Sequence, residues 1–311
     1  MLKSSKLNLI GQLLILSATI AWGSSFVILK ETIEEVPAFF VIGIRFVVAG
    51  LAVGLIFIKK IIKLNKTTLT QGLILGVVVA GAYFTQTWGL QHTTPSKNAF
   101  LTATYCIMCP FIMWLFFKRS PKIYNVISAF LCLIGVGLVA FSGADNGTGE
   151  STLFGDILTL VGAVFYSLQI LFIDRFQENK TEPISLLVVQ FFVVGIVLLG
   201  TSAIFELPTQ GIKAYRLNID QLLKIGYLTL ACTIYAQGAQ FFGQKFITSP
   251  GQASLILSLE AVFGVIFSIL IGDEKLTVPL IIGFCVIFLA IIISELQLDP
   301  VKLFRKKKDA E

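Results

Sequence analysis

Residues 8–28 read NLIGQLLILSATIAWGSSFVI, twenty-one positions without a charged side chain. A helix rises about 1.5 Å per residue, so this stretch is long enough to cross the roughly 30 Å hydrocarbon core of a bilayer. Stretches of similar length and character recur nine times, at Pro37–Ile58, Leu69–Leu90, Pro95–Phe117, Lys122–Ser142, Phe154–Asp174, Pro183–Ile204, Gln221–Gly243, Ser249–Ile271 and Leu276–Ser294. Only short polar joints separate them, and almost nothing is left to build a water-soluble domain. The sequence predicts an all-α integral membrane protein of ten transmembrane helices.

Composition agrees. Charged residues make up 14% of the chain and mean hydropathy is +0.87, whereas soluble domains carry about 25% charged residues. A sequence pI near 9.0 raises the question of a nucleic-acid partner, but the placement of the basic residues answers it. With the N-terminus in the cytoplasm, seventeen of the 24 Lys and Arg residues fall on that side, among them Lys59, Lys60, Lys63, Lys118, Arg119, Lys122 and the tail from Lys302 to Lys308. That asymmetry is the positive-inside pattern of a multi-pass protein. It predicts a cell (plasma) membrane protein with both termini cytoplasmic, a basic tail at 297–311 lying against anionic headgroups, and no nucleic-acid partner. The first span lacks a small-x-small cleavage site and is needed for this charge pattern, so it reads as a retained helix and not a signal peptide.

Comparing the chain with itself exposes a repeat. A shift of 154 lays Gly72 on Gly226, Gln86 on Gln240, Gly89 on Gly243 and Thr94 on Thr248; a shift of 144 lays Gly11 on Gly155 and Trp22 on Tyr166. The longer loop at Glu206–Asp220 absorbs the difference. Small residues match easily by chance, but paired glutamines inside membrane spans do not. The halves are residues 8–143 and 153–296, with the Gly-rich joint around Asn146 between them. Five spans is an odd number, so the second copy runs upside down relative to the first. Inverted repeats of this kind place a substrate site near the midplane, between the halves.

Particular stretches carry a family resemblance: Ala21-Trp22-Gly23-Ser24-Ser25-Phe26 in span one, Ile44-Arg45-Phe46 in span two, the run from Thr248 to Phe263, and Gly272-Asp273-Glu274. In these the chain resembles the drug/metabolite transporter superfamily, EamA type, over about residues 10 to 296. The resemblance implies ten helices and transport of small solutes, more often export. The family commonly has Pro after the span-nine Glu, where Ala261 stands here, and its acidic motif after span four is here Lys118-Arg119-Ser120; both departures weaken any transfer of substrate identity.

Polar side chains in hydrocarbon cost free energy and need partners or a wet cavity. Span eight places Thr233, Gln237, Gln240 and Gln244 on one helical face. Span three places Tyr83, Gln86 and Thr93 on another, and span six aligns Thr159, Gly162, Tyr166 and Gln169. Any one stripe could serve only for interhelical hydrogen bonds, worth under about 2 kcal/mol each. Three stripes on repeat-related spans point to a polar central cavity lined by Trp22, Tyr83, Gln86, Tyr105, Tyr166, Gln169, Gln237 and Gln240.

Two ionisable groups lie near mid-span. Glu260 reads either as a proton-coupling or ammonium-binding carboxylate or as a structural acid, and Arg45 as a packing anchor or salt-bridge partner on an otherwise lipid-facing helix. Lys97 opens span four and is expected to snorkel outward. Cys106-Ile107-Met108-Cys109 imitates a metal motif without a second ligand pair. It reads with Cys132, Cys232 and Cys285 as buried free thiols, so neither a metal nor a cofactor is expected.

An intramembrane enzyme would need a catalytic group set, which one interfacial histidine and one mid-depth acid do not supply; no catalytic residue is assigned. The remaining reading is an alternating-access secondary transporter of small polar or amphipathic metabolites, amino acids or related compounds, more likely exporting them. The alternatives are a multidrug or cation efflux carrier and, in a different class, a channel or a non-transporting receptor. Expected partners are the substrate, the lipid bilayer and protons as a coupling ion, and a homodimer is compatible with the sequence.

Overall fold

Helices dominate the computed structural model, which describes residues 2–118, 120–141, 153–178, 181–247, 250–271, 275 and 277–295. Asn146 with the joint around it, the motif positions Thr248, Ser249, Gly272, Asp273 and Glu274, and the basic tail 297–311 lie outside the described residues. In chain order the helical stretches are α1 (Leu2–Glu35), α2 (Ala38–Ile56), α3 (Lys66–Gln91), α4 (Pro95–Ala103, resuming as Tyr105–Phe117), α5 (Ile123–Phe141), α6 (Leu153–Glu178), α7 (Pro183–Thr201), α8 (Ile219–Thr229 and Ala236–Phe246), α9 (Pro250–Leu270) and α10 (Val278–Glu295). No strand occurs among the described residues.

Among those residues six helices are long and apolar enough to cross a membrane: α1, α2, α3, α4, α6 and α7. Ile123–Val139, Ile256–Leu270 and Val278–Ile293 are shorter apolar helices, and α8 is interrupted. Large apolar side chains face outward, with Leu55, Ile56, Phe205, Leu223 and Leu230 each about two-thirds exposed or more. A rim of this kind would drive aggregation in water and is solvated by lipid tails. The chain is a multi-pass membrane protein.

Side-chain caps set several helix starts. The Asn65 side chain accepts from the Thr68 N–H, Thr94 caps a helix with Pro95 at its first position, Glu182 does the same ahead of Pro183, and Asn218 forms a capping box with Gln221. Hydropathy ended the first span at Ile28, two residues before Lys30. The helix continues to Glu35 and stops where Pro37 disfavours helical geometry in the residue before it. The predicted loop Glu206–Asp220 also begins as helix. After Thr201 the chain runs through a π segment, Ser202–Glu206, and a short helix, Leu207–Gln210. This extension has a partner. Pro37 offers no side-chain cap to α2, and the buried Glu206 carboxylate accepts from the Phe39 and Phe40 N–H groups at 3.0 and 3.2 Å, placing negative charge at the positive end of the helix dipole.

α1 packs on α9 and α8, α3 on α6 and α7, α2 on α7, and α5 on α10. Lipid tails are as apolar as leucine, so close van der Waals fit and small residues decide these contacts more than water exclusion does. Two crossings are closed by glycine pairs. A Cβ on Gly11 would stand 2.8 Å from the Gly243 carbonyl oxygen, and one on Gly243 would stand 3.0 Å from that of Gly11. A Cβ on Gly89 would stand 2.8 Å from the Gly155 carbonyl oxygen, and one on Gly155 would stand 2.9 Å from that of Gly89. Each of the α1–α8 and α3–α6 crossings is thus closed by a reciprocal glycine pair.

α2 differs from its reading as a lipid-facing helix. Leu51 and Leu55 face outward, but Gly43 and Gly50 lie against Leu199, Phe191 and Phe192 of α7, and Arg45 turns inward at 1% exposure. Cys106, Cys109, Cys132 and Cys232 are buried free thiols, whereas Cys285 is exposed on α10. Alternation of a helical face, which hydropathy alone does not register, puts Cys285 outside.

Candidate functional site

A cavity lies among α1, α2, α3, α4, α6, α8 and α9. All eight side chains grouped from the sequence line it: Trp22, Tyr83, Gln86, Tyr105, Tyr166, Gln169, Gln237 and Gln240. Arg45 and Glu260 also border it, together with Ser25, Asn98 and Thr102. Residues equated by the repeat, Trp22 with Tyr166 and Gln86 with Gln240, therefore face the same space.

Local irregularities aim these groups. α4 breaks at Thr104, whose hydroxyl bonds back to the Leu101 carbonyl at 2.6 Å, and the break lets Thr102 and Tyr105 both reach the cavity. α8 carries a π segment, Leu230–Tyr235. A π turn displaces carbonyls from the regular ladder, and the Trp22 indole Nε1 donates to the Cys232 carbonyl at 2.9 Å, fixing the indole across the interface of the halves.

Hydrogen bonds join the lining into a network. Tyr166 donates to Gln86 Oε1 at 2.7 Å, and Gln86 Nε2 donates to Thr102 Oγ1 at 3.0 Å. Gln190 Nε2, from α7, donates to Gln237 Oε1 at 2.8 Å, and Gln237 Nε2 reaches the Tyr83 hydroxyl at 3.4 Å. The Gln240 Oε1 and Asn98 Oδ1 atoms, both buried, have no hydrogen-bond partner among the described residues. Buried polar atoms are ordinarily satisfied, so acceptors left open in a cavity wall are suited to water or to a solute with donors.

Arg45 anchors one end. Its Nε donates to Thr233 Oγ1 at 2.9 Å, Nη2 lies 3.5 Å from the Tyr83 hydroxyl, and the guanidinium carbon sits 5.2 Å from the centroid of the Tyr83 ring. Of the two sequence readings of Arg45, packing anchor or salt-bridge partner, the second finds no support, since no ion pair to Arg45 forms among the described residues. Aromatic rings then lead across the cavity, Tyr83 to Tyr166 at 5.9 Å between centroids and Tyr166 to Tyr105 at 6.3 Å. The Glu260 carboxyl faces the Tyr105 hydroxyl. The Arg45 guanidinium and the Glu260 carboxyl border one cavity without pairing to each other among the described contacts.

The polar stripes do not enter the cavity whole. Thr233 holds Arg45 from behind, and Gln244 is buried with neither amide atom partnered among the described residues. Thr93, grouped by the sequence with Tyr83 and Gln86, donates instead to Asp156 Oδ1 at 2.7 Å. Lys97 does not snorkel: its side chain is 3% exposed and its ammonium lies 3.4 Å from Asp156 Oδ2. Snorkelling reaches water only where no buried anion competes, and Asp156 in the first turn of α6 supplies one. Asp156 and Asn98 escaped the site assignment because each sits near a span end, where polar residues are common and carry little signal, and Thr102 because a lone threonine within a span forms no polar stripe.

The profile of the EamA-like transporter family matches residues 9–141 and again residues 153–296. The chain belongs to this family. An uncharacterized transporter of Archaeoglobus fulgidus is 29% identical over 276 residues, covering 89% of this chain and 82% of its own length. The uncharacterized transporter YoaV of Bacillus subtilis is 24% identical over 272 residues, 86% of this chain and 91% of that protein. Solute carrier family 35 member F2 of Mus musculus is 23% identical over 229 residues, 71% of this chain and 58% of that protein. A crystal structure with a TM-score of 0.66, at 16% identity over 94% of this chain and 97% of the other, has the same fold. This EamA-family chain is therefore a membrane transporter acting on a small-molecule substrate.

Proposed function

We propose that this transporter works by alternating access, as ten crossings in two inverted five-helix halves, and carries small polar or amphipathic metabolites, amino acids or related compounds. The observation that carries the reading is the pairing across the repeat. Trp22 and Tyr166, and Gln86 and Gln240, face one buried cavity, while the glycine crossings α1–α8 and α3–α6 exchange partners between the halves. An inverted pair of halves with equivalent contacts at both ends can open one end as it closes the other. The cavity chemistry, amides and tyrosines with one charge of each sign, suits a small solute bearing both polar groups and an apolar body.

Family resemblance favours export, and the bias of basic residues favours cytoplasmic termini in the plasma membrane. Glu260 is the carboxylate placed to take up and release a coupling proton. A multidrug or cation carrier is the second reading, favoured by the tyrosines around Glu260, since aromatic faces attract cations.

The deciding experiment is uptake or counterflow in proteoliposomes containing Gln86→Leu, Gln237→Leu or Gln240→Leu. Transport should fall while folded yield in detergent holds; unchanged transport in all three would reduce the network to packing. For the topology, a cysteine at position 146 should label with an impermeant maleimide in intact cells and one at position 63 should not. The reverse pattern would overturn the orientation.

A further inference from the structure

Arg45 is the one cation among the residues bordering the cavity, and it is 1% exposed. A charged residue in mid-membrane costs about 2.5–3.5 kcal/mol on insertion scales, so its retention calls for a partner. A guanidinium has five N–H donors. Thr233 Oγ1 takes one at 2.9 Å and the Tyr83 hydroxyl takes another at the long distance of 3.5 Å. The rings of Phe46 and Tyr83, at 5.3 and 5.2 Å, supply cation–π attraction but no acceptor. The other donors find neither carboxylate nor hydroxyl among the described residues. Glu260, the carboxyl group on the cavity wall, lies instead beside Tyr105.

We propose that Arg45 is the carboxylate-binding group of this cavity and that the transported solutes carry a single carboxylate. The inference rests on the transporter reading above and narrows its substrate class. A planar fork of N–H donors matches a carboxylate with two parallel, charge-assisted hydrogen bonds. One guanidinium with no second Lys or Arg among the described wall residues is too little for a phosphate dianion. Glu260 and the open acceptor on Gln240 make the rest of the wall favourable to donors such as an ammonium, and the tyrosine row offers apolar area between. A zwitterionic amino acid meets all three conditions. A monocarboxylate lacking the amine meets the first, whereas an ester or a decarboxylated amine fails it.

The test uses the purified full-length chain, with thermal stabilisation as the readout, because a ligand that binds the folded state raises its stability by mass action. The probes are the proteinogenic amino acids, their methyl esters and the matching decarboxylated amines. Free acids should half-saturate at concentrations about 10- to 100-fold lower than their esters and amines, the range for one charge-assisted pair at 1.4 kcal/mol per tenfold. Arg45→Gln should bring the acids to the level of the esters and leave the esters unmoved. A purely structural arginine would instead weaken acids and esters together. If Arg45→Gln does not yield folded protein, Arg45→Lys keeps the charge without the fork and should retain a reduced preference for acids. Equal binding of acids and esters by the parent chain, or an acid preference that survives Arg45→Gln, overturns the assignment and leaves the transporter reading standing. Binding of amines and esters with no binding of any free acid overturns both this assignment and the amino-acid reading.

Discussion

The Lys97–Asp156 pair is the place where a single atom change should cost most. Its side chains are 3% and 2% exposed, the separation is 3.4 Å, and Thr93 donates a second bond to the carboxylate. At an effective dielectric near 20, unit charges at that distance attract by about 5 kcal/mol, much of it offset by taking both ions out of water. Breaking such a pair is a different matter from never having made it, because the remaining charge stays buried without compensation, and the loss is about 3–5 kcal/mol. Asp156→Asn keeps the volume and an acceptor for Thr93 but removes the negative charge beside the buried Lys97 ammonium. Unfolding in mixed detergent micelles should show a loss in that range. Lys97→Met should also destabilise, and the double variant should cost much less than the sum of the single changes. The pair joins α4 to α6, so the same variants should loosen that end of the cavity. A coupling below about 0.5 kcal/mol in the double-mutant cycle would place the pair among solvated ion pairs and refute the argument from burial.

Glu260→Gln keeps shape and hydrogen bonding without a titrating group. In liposomes it should still exchange substrate down a gradient but lose any response to an imposed pH gradient, and a response equal to the parent's would exclude Glu260 as the coupling site. At Glu182, ahead of α7, partial burial pushes the carboxyl up, but hydrogen bonds from Lys60 and Ser185 outweigh it and hold the group below the ordinary carboxylate range. A depressed carboxyl stabilises above its unfolded pKa and loses that contribution as pH falls through the folded one. Acidification from pH 6 towards 3 should therefore cost the parent chain up to about 1 kcal/mol more than Glu182→Gln, the scale of an exposed pair, read as a difference in melting temperature. Gly23→Ala places a Cβ 2.4 Å from Phe263 Cβ and 2.8 Å from the Phe263 carbonyl carbon, and since backbone cannot yield as a side chain can, about 1–3 kcal/mol should be lost. Gly137→Ala meets nothing within 4 Å and should be neutral or slightly stabilising in the same assay.

Local chemistry made much of this transporter legible in its sequence. Span length and the scarcity of charge predict helices in lipid, because a bilayer satisfies no backbone hydrogen bonds and leaves helix as the economical solution. The paired positions Gly89 with Gly243 and Gln86 with Gln240 are what the proposed duplication rests on, since a repeat preserves spacing even where most residues drift. Helical periodicity grouped Tyr83 with Gln86 and Gln237 with Gln240, and all four border the cavity.

Facing between distant helices was decided only in three dimensions. Arg45 stands on a glycine-rich helix whose outer face carries Leu51 and Leu55, and nothing in its neighbours along the chain says that it turns toward Thr233, 188 residues away. Lys97 stayed inside because packing brought Asp156 to it, overriding the reach of its own flexible stem. The π segments at Ser202–Glu206 and Leu230–Tyr235 leave no mark in hydropathy. Each shifts the phase of a helix by the insertion of one residue into a turn, and their consequences are tertiary: Glu206 caps α2, and Trp22 is held against Cys232. A sequence fixes which side chains share a helical face through the constant 3.6-residue period. Which face meets which helix depends on the sum of many close contacts, each of them small, and that sum exists only once the halves have packed.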